Sequence, residues 1–311
     1  MKALRIVSVG LCVAAIVPSC KPDFGERESL VDRTVVLAVR IEPPEAKPGE
    51  TVTTTLLVAS PDGPVDAPAT SWAFCATPKL LTENGSVSAA CLRADGVAPI
   101  GDAPGAISAA LPANGCFTFG PETQAAEVRP RDADVTGGYY VPIRARVSVA
   151  SSGAPEPLTA FGFARLVCNL ANAPADAATR FRTEYKSNTN PTLFPIEARL
   201  ESGLSIALTE VPRGARVVLR ASWRPEDAET YALFDVQNEA VVTKRESLRV
   251  SWFTTAGTYD HDRTGRTELE PETFTENVWT APDDAGTSHL SFVLRDARGG
   301  VSFASATATS R

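Results

Sequence analysis

The chain has 311 residues, 43% of them hydrophobic and 22% charged. That balance supplies a sizeable core and, by length, about two domains. A net charge of −7 argues against a broad basic surface for nucleic acid. Two histidines leave little material for histidine-based catalysis or a His-rich metal site.

The chain opens MKALRIVSVGLCVAAIVPSC, with Lys2 and Arg5 ahead of an apolar run from Ile6 to Val17. A spanning helix needs about 20 apolar residues, so this run is too short to cross a membrane. Its layout is that of a secretory signal peptide over 1–19. The ending Val17-Pro18-Ser19-Cys20 resembles the lipobox of bacterial lipoproteins. The resemblance implies cleavage before Cys20 and acylation of that residue, with the membrane as partner through a lipid anchor. Lys21, rather than an aspartate, follows the cysteine, which favours the outer membrane. Removing 1–19 takes away Lys2 and Arg5, leaving 28 basic against 37 acidic residues, or −9.

Residues 20–33 are polar and read as a tether. From Thr34 the pattern is β. VVLAVRI leads through a Pro-rich turn into TVTTTLLVA, where Val52, Thr54, Leu56 and Val58 share a face at period two. Thr70–Cys75 follows, with Trp72 and Phe74 on one face and Cys75 on the other. Residues 93–138 hold 12 Gly and Pro in 46, so 76–138 reads as a long loop insertion with short strands near Ile107 and Phe117. From Tyr139 the alternation resumes: Val141, Ile143, Ala145 and Val147 face one way, Tyr140, Arg144, Arg146 and Ser148 the other. PLTAFGFARLVC (157–168) closes this unit, 34–170. Residues 171–190 read as a linker with at most a helical turn.

The second unit, 191–311, repeats the theme. Val217, Leu219, Ala221 and Trp223 alternate, as do Val250 with Trp252, and Leu290, Phe292 and Leu294. Asp296-Ala297-Arg298-Gly299-Gly300 is a hairpin turn. TYALFD and AVVTKRE, joined by Val236–Glu239, form an extra hairpin. Strands spaced by turn signals without a long helical period predict an all-β chain of two antiparallel sandwiches.

Cys75, Cys91, Cys116 and Cys168 remain after the signal and anchor cysteines, and an even number in an exported chain reads as two disulfides. Of three pairings, Cys75–Cys91 with Cys116–Cys168 is favoured because the first closes a short loop. Zinc is the rival, but no C-x-x-C or nearby histidine supports it.

A tryptophan on the third strand, packed between sheets, marks immunoglobulin-like sandwiches. Trp72 and Trp252 occupy that place as the structural core, and Asp134–Tyr139 looks like the turn and tyrosine opening strand F. The segment SWFTTAGTY…NVWTAPDDAGTSHLSFVLRDARGG resembles bacterial Ig-like and PKD-like repeats. The mature chain is similar to the Ig-like lipoproteins of high-GC diderm bacteria, a likeness that carries fold more than function.

Catalytic motifs are missing: there is no G-x-S-x-G, H-E-x-x-H, P-loop or G-x-G-x-x-G. His289 adjoins Ser288, but neighbours on a strand point to opposite faces. Asp260-His261-Asp262-Arg263-Thr264-Gly265 begins like a calcium loop, yet its twelfth position is Pro271 where an EF-hand needs Glu; Asp260, Asp262, Glu268 or Glu270 could at most make a loose site. Glu268, Glu270 and Glu272 read as a solvated acidic loop rather than a glycosidase pair. Arg144, Arg146, Arg216 and Arg220 read as a solvated sheet face or an anion stripe, and Tyr139, Tyr140, Phe161 and Phe163 as core or a sugar platform. No catalytic residue, metal ligand or cofactor is assigned. The expectation is a non-enzymatic, lipid-anchored envelope protein that binds or scaffolds another envelope component, protein or glycan. A carbohydrate-binding or adhesive surface module is the first alternative, and an envelope enzyme with its site in the 76–138 loops the second.

Overall fold

A computed structural model describes residues 28–80, 82–122, 131–148 and 157–311. Cys20 and the expected signal segment, 1–19, lie outside the described residues. The first unit contains β1 (Val35–Glu42), β2 (Thr51–Ser60), β3 (Ala69–Cys75), β4 (Val97–Asp102), β5 (Ala106–Ala110), β6 (Tyr140–Ser148) and β7 (Leu158–Leu166). One sheet pairs β2 with both β1 and β5; the other runs β7-β6-β3-β4, with Glu45–Ala46 lying parallel to the free edge of β7. The linking helix α1 is Ala175–Glu184. The second unit contains β8 (Glu197–Leu200), β9 (Arg216–Ser222), the hairpin β10 (Thr230–Asp235) and β11 (Ala240–Arg245), then β12 (Leu248–Thr254), β13 (Arg263–Arg266), β14 (Phe274–Thr280), β15 (Gly286–Asp296) and β16 (Val301–Ser310). Its sheets are β8-β9-β14, with the short strand Thr258–Tyr259 along the far edge of β14, and β13-β12-β15-β16. Strand for strand this is the first unit's order, so the described residues form two immunoglobulin-like sandwiches of one topology.

The sequence alternation places the cores. Val141, Ile143, Ala145 and Val147 are buried around Trp72; Val217, Leu219, Ala221, Leu290, Phe292 and Leu294 are buried around Trp252. Trp72 sits on β3 and Trp252 on β12, the equivalent strands. Each indole nitrogen bonds to the neighbouring edge strand or its end, Trp72 to the Ala103 carbonyl (3.0 Å) and Trp252 to the Thr264 hydroxyl (2.9 Å).

Several expectations are corrected. The stretch 76–138 is not one loop insertion: β4 completes the sheet beside β3 and β5 pairs with β2. The Gly and Pro of this stretch mark the ends and irregularities of short strands. Phe117 lies in the helical turn Gly115–Thr118, not in a strand. The 171–190 linker contains the ten-residue α1, whose Ala177 and Phe181 pack on Ala232 and Val241 of the hairpin. The tether ends earlier than 33: Leu30 bridges Thr254, the Val31 amide bonds the Thr254 carbonyl (2.8 Å), and Val31 is buried.

The sandwiches pack face to face. Leu56-Leu57-Val58-Ala59 breaks strict alternation because β2 is covered on both sides. Leu56 and Val58 enter the first core, while Leu57 and Ala59 meet Val293 and Val301 of the second sandwich. At one end the junction turns polar and stays buried. Arg165 on β7 donates to the Thr136 hydroxyl (2.7 Å), the Thr136 carbonyl (2.9 Å) and the Tyr140 hydroxyl (2.9 Å), and lies 3.5 Å from Glu45. Glu45 accepts from the Tyr185 hydroxyl (2.6 Å) and the Asn188 amide (2.7 Å) just beyond α1. Arg298, in the β15–β16 turn, reaches Glu246 (2.7 Å), Glu229 and the Lys186 carbonyl (2.8 Å). Asn190 ties the units again, donating to the Ile41 carbonyl and accepting from the Val301 amide, each at 2.7 Å.

Candidate functional site

The outer face of the β7-β6-β3-β4 sheet carries Pro142 and Arg144 on β6 opposite Phe163 and Phe161 on β7. Two loops stand on this face. The first, 76–92, leaves β3 at Cys75 and returns through the Cys75–Cys91 disulfide. Arg144 holds its far end, donating to the carbonyls of Cys91 (2.8 Å) and Arg93 (3.0 Å). Arg144 is therefore buried beneath this loop rather than solvated, and Cys75, on the face opposite Trp72, is buried by the same cover. Glu83 organises the loop, accepting from the amides of Leu80 and Ala89 at 2.8 Å each; these bonds hold its carboxyl below the usual range.

The second wall is the turn 131–138. Asp134 gathers the Thr136 amide (2.9 Å) and hydroxyl (2.7 Å) and the Gly138 amide (2.7 Å). Arg131 donates to the Thr118 carbonyl (2.8 Å), next to the Cys116–Cys168 disulfide that secures this side. A side chain at Gly138 would run into the Arg165 guanidinium, 2.0 Å from its Cβ position, so glycine is required there. The tyrosine that turns back at this corner is Tyr140, not Tyr139. Its hydroxyl donates to Asp134 (3.0 Å), and burial pushes it up to about 12.

Between the walls runs an open groove of about 960 Å³. Tyr139, Pro142, Phe163 and Phe119 line its apolar side, and Leu80, 58% exposed, stands at its lip. Lys79 on one wall and Arg131, Asp132 and Asp134 on the other also line it, so neither sign of charge dominates. Burial, with Asp132 and Asp134 nearby, raises the Tyr139 hydroxyl, leaving it a neutral donor. Of the four aromatics considered for a platform, Tyr139, Tyr140 and Phe163 line this groove, while Phe161 lines a smaller pocket of about 330 Å³ with Val36 and Val39.

The other sequence candidates are scattered. Arg216 pairs with Glu201 and Asp260, and Arg220 with Glu276 (2.8 Å) while stacking on Phe274. Asp260 is thus held by an arginine, and Glu270 caps Thr267. Among the described residues no three His, Cys, Asp or Glu are grouped to hold a metal ion. His289 packs on Gly63 and Ser288 is buried on the opposite face. Arg165, Glu45, Glu246 and Arg298 were not singled out in the sequence. Their one signal was Arg165, a charge set between Ala164 and Leu166 at the end of a strand.

No protein-family model and no curated protein matches the sequence. Among solved structures, the D00-D0 domain of intimin aligns over 90% of this chain and 98% of its own, at 9% identity and a TM-score of 0.26. The Yersinia pseudotuberculosis adhesin InvE aligns over 88% and 58%, at 11% identity and 0.23. A mutant of Salmonella alpha-2-macroglobulin aligns over 90% of this chain but 17% of its own, at 10% and 0.24. Likenesses this slight carry no argument, and the fold assignment rests on the strand order above.

Proposed function

We propose that this chain is a non-enzymatic lipoprotein of the cell envelope, anchored through Cys20, that binds another envelope component in the groove of its first sandwich. The observation carrying this reading is the groove itself: an apolar, aromatic side between a loop closed by the Cys75–Cys91 disulfide and a turn held by Asp134 and by Arg131 on the Thr118 carbonyl. Recognition surfaces gain from loops that are ordered before binding, because less entropy is lost on association. The rim of mixed charge suits a partner that is neither strongly acidic nor strongly basic. Tyr139 and Phe163 favour a second reading within the same site, a glycan whose ring stacks on the aromatic side.

Since β4 and β5 are sheet strands, excising this region would unfold the sandwich, and the test must use single positions. A photo-crosslinking residue at Leu80, on the groove lip, is compared in intact cells with one at Leu204, which is 63% exposed on the second sandwich. Adducts of discrete mass at position 80, absent at 204 and lost when Lys79 and Arg131 are replaced by Glu, are expected. Equal labelling at both positions, or none at 80, rejects the groove as the binding surface. Substrate turnover by the purified chain, lost on Asp132→Asn, rejects the non-enzymatic reading.

A further inference from the structure

The polar end of the junction holds more carboxyls than its cations can neutralise. Two guanidiniums, Arg165 and Arg298, stand among Glu45, Glu229, Glu246 and Asp296. Asp296 is satisfied by the amides of Arg298 and Gly300, each at 2.8 Å, and by the Asn188 side chain. Glu45 has the Tyr185 hydroxyl and the Asn188 amide. Glu246 is different: its side chain is fully buried, its Oε1 meets Arg298, and its Oε2 is buried without a hydrogen-bond partner. A bare carboxylate oxygen in that position would cost several kcal/mol, whereas a protonated one costs far less.

Around Glu246 the charged neighbours are mostly anions, with Arg298 as the one opposing cation. From the β15–β16 turn, Asp296 repels a charge on Glu246 and Arg298 attracts it. From the segment ahead of β10, Glu229 repels it while competing for the same guanidinium. The Tyr231 ring on β10 lies under Arg298, 4.4 Å from it, and supplies no cation. From the first sandwich, Glu45 approaches Arg298 to 4.0 Å and divides its charge further. Burial first, then Asp296, pushes the Glu246 carboxyl up to about 8.

We propose that the junction between the two sandwiches is a proton-dependent clasp, closed while Glu246 holds a proton on Oε2 and loosened when that proton is lost. The proton is the link between solvent and joint: its loss leaves a second unbalanced anion beside Arg298, and that anion is relieved when the turn carrying Arg298 and the strap carrying Asn188 and Asn190 move apart and admit water. Asp134 and Tyr140 belong both to the groove wall and to the Arg165 end of this network, so loosening reaches the groove. The inference does not depend on what the groove binds.

Amide hydrogen exchange of the full chain tests it, read on peptides covering 186–190 and 298–302. The Asn188 amide donates to Glu45 and the Val301 amide to Asn190, so both report the clasp. If opening releases the Glu246 proton, the opening constant, corrected for the chemical exchange rate, rises about tenfold per pH unit from about pH 5 to about pH 8 and then levels. Glu246→Gln, which is neutral at every pH, removes that slope. Amides of β9, in the core of the second sandwich, act as the control and do not follow it. A flat wild-type profile overturns the proposal, as does an equal slope in Glu246→Gln. Should that variant fail to fold, infrared spectroscopy of the wild type decides. A carboxylic-acid C=O band that disappears with a midpoint near pH 8 is expected, and its absence between about pH 5 and 7 overturns the proposal.

Discussion

Trp72 and Trp252 show how much one side chain can be responsible for. Each fills its sandwich and satisfies its indole N–H on an edge element, so truncation removes packing and that hydrogen bond together. Replacing a buried Trp by Ala costs about 3–5 kcal/mol, against about 5–15 for a whole domain. Either substitution should lower the denaturation midpoint steeply, seen by circular dichroism during a thermal ramp; a Trp252→Ala protein that melts with the wild type would contradict the packing described. Glu246 acts through protons instead. Its carboxyl is raised from 4.5 in the unfolded chain to about 8 in the folded one, so the folded state binds the proton more tightly between those values. Stability from this group is therefore fully present below about pH 4.5 and is lost as pH rises towards 8. Midpoints in guanidinium should fall over that interval, and the fall should vanish in Glu246→Gln.

At the level of elements, the loop 76–92 depends on its staple. The cysteines are 16 residues apart, and chain entropy gives a closure of that size about 3 kcal/mol. The double variant Cys75→Ser, Cys91→Ser should fold less stably, and proteolysis should cut near Lys79 or Arg93, which the wild type resists; an unchanged cleavage pattern would show that Arg144 and Glu83 hold the loop unaided. The alternating strands were legible in the sequence because one face of each is core: β6, β9 and β15 read directly from period two. Strand β5 was legible only as a short strand near Ile107, and β4 was not, because VAPIGD is short, carries Gly and Pro, and lies at a sheet edge where alternation is weak. Helix α1 was hidden for another reason. Its apolar residues are few, and it is held by the β10–β11 hairpin rather than by its own amphipathic pattern. The groove was legible as an aromatic set and a loop region, but not as one place, since residues 78–87 and 131–142 meet only through the fold.

For the whole molecule, the decisive fact is that the sandwiches share buried surface. Leu57 and Ala59 on one side and Val293 and Val301 on the other need each other to leave water, and Arg298, paired with Glu229 and Glu246 of its own unit, also meets Glu45 of the first unit and the Lys186 carbonyl of the strap. Apolar area alone would hold two domains at many angles; hydrogen bonds from Asn188, Asn190 and Arg295 to named atoms across the joint select one. The first described residues add to this, because Ser29 and Val31 bond Thr254 of the second sandwich before the chain enters β1 of the first. A chain cut between the units cannot keep these contacts, so residues 191–311 expressed alone should expose Val293 and Val301 and leave Arg298 with Glu229 and Glu246 but without Glu45 and the Lys186 carbonyl. The intact protein should unfold in one calorimetric transition, with van't Hoff and calorimetric enthalpies equal, while the separate second sandwich should melt lower and bind a hydrophobic dye. Two resolved transitions in the intact chain would mean that the junction adds little, and that the sandwiches are neighbours rather than one cooperative body.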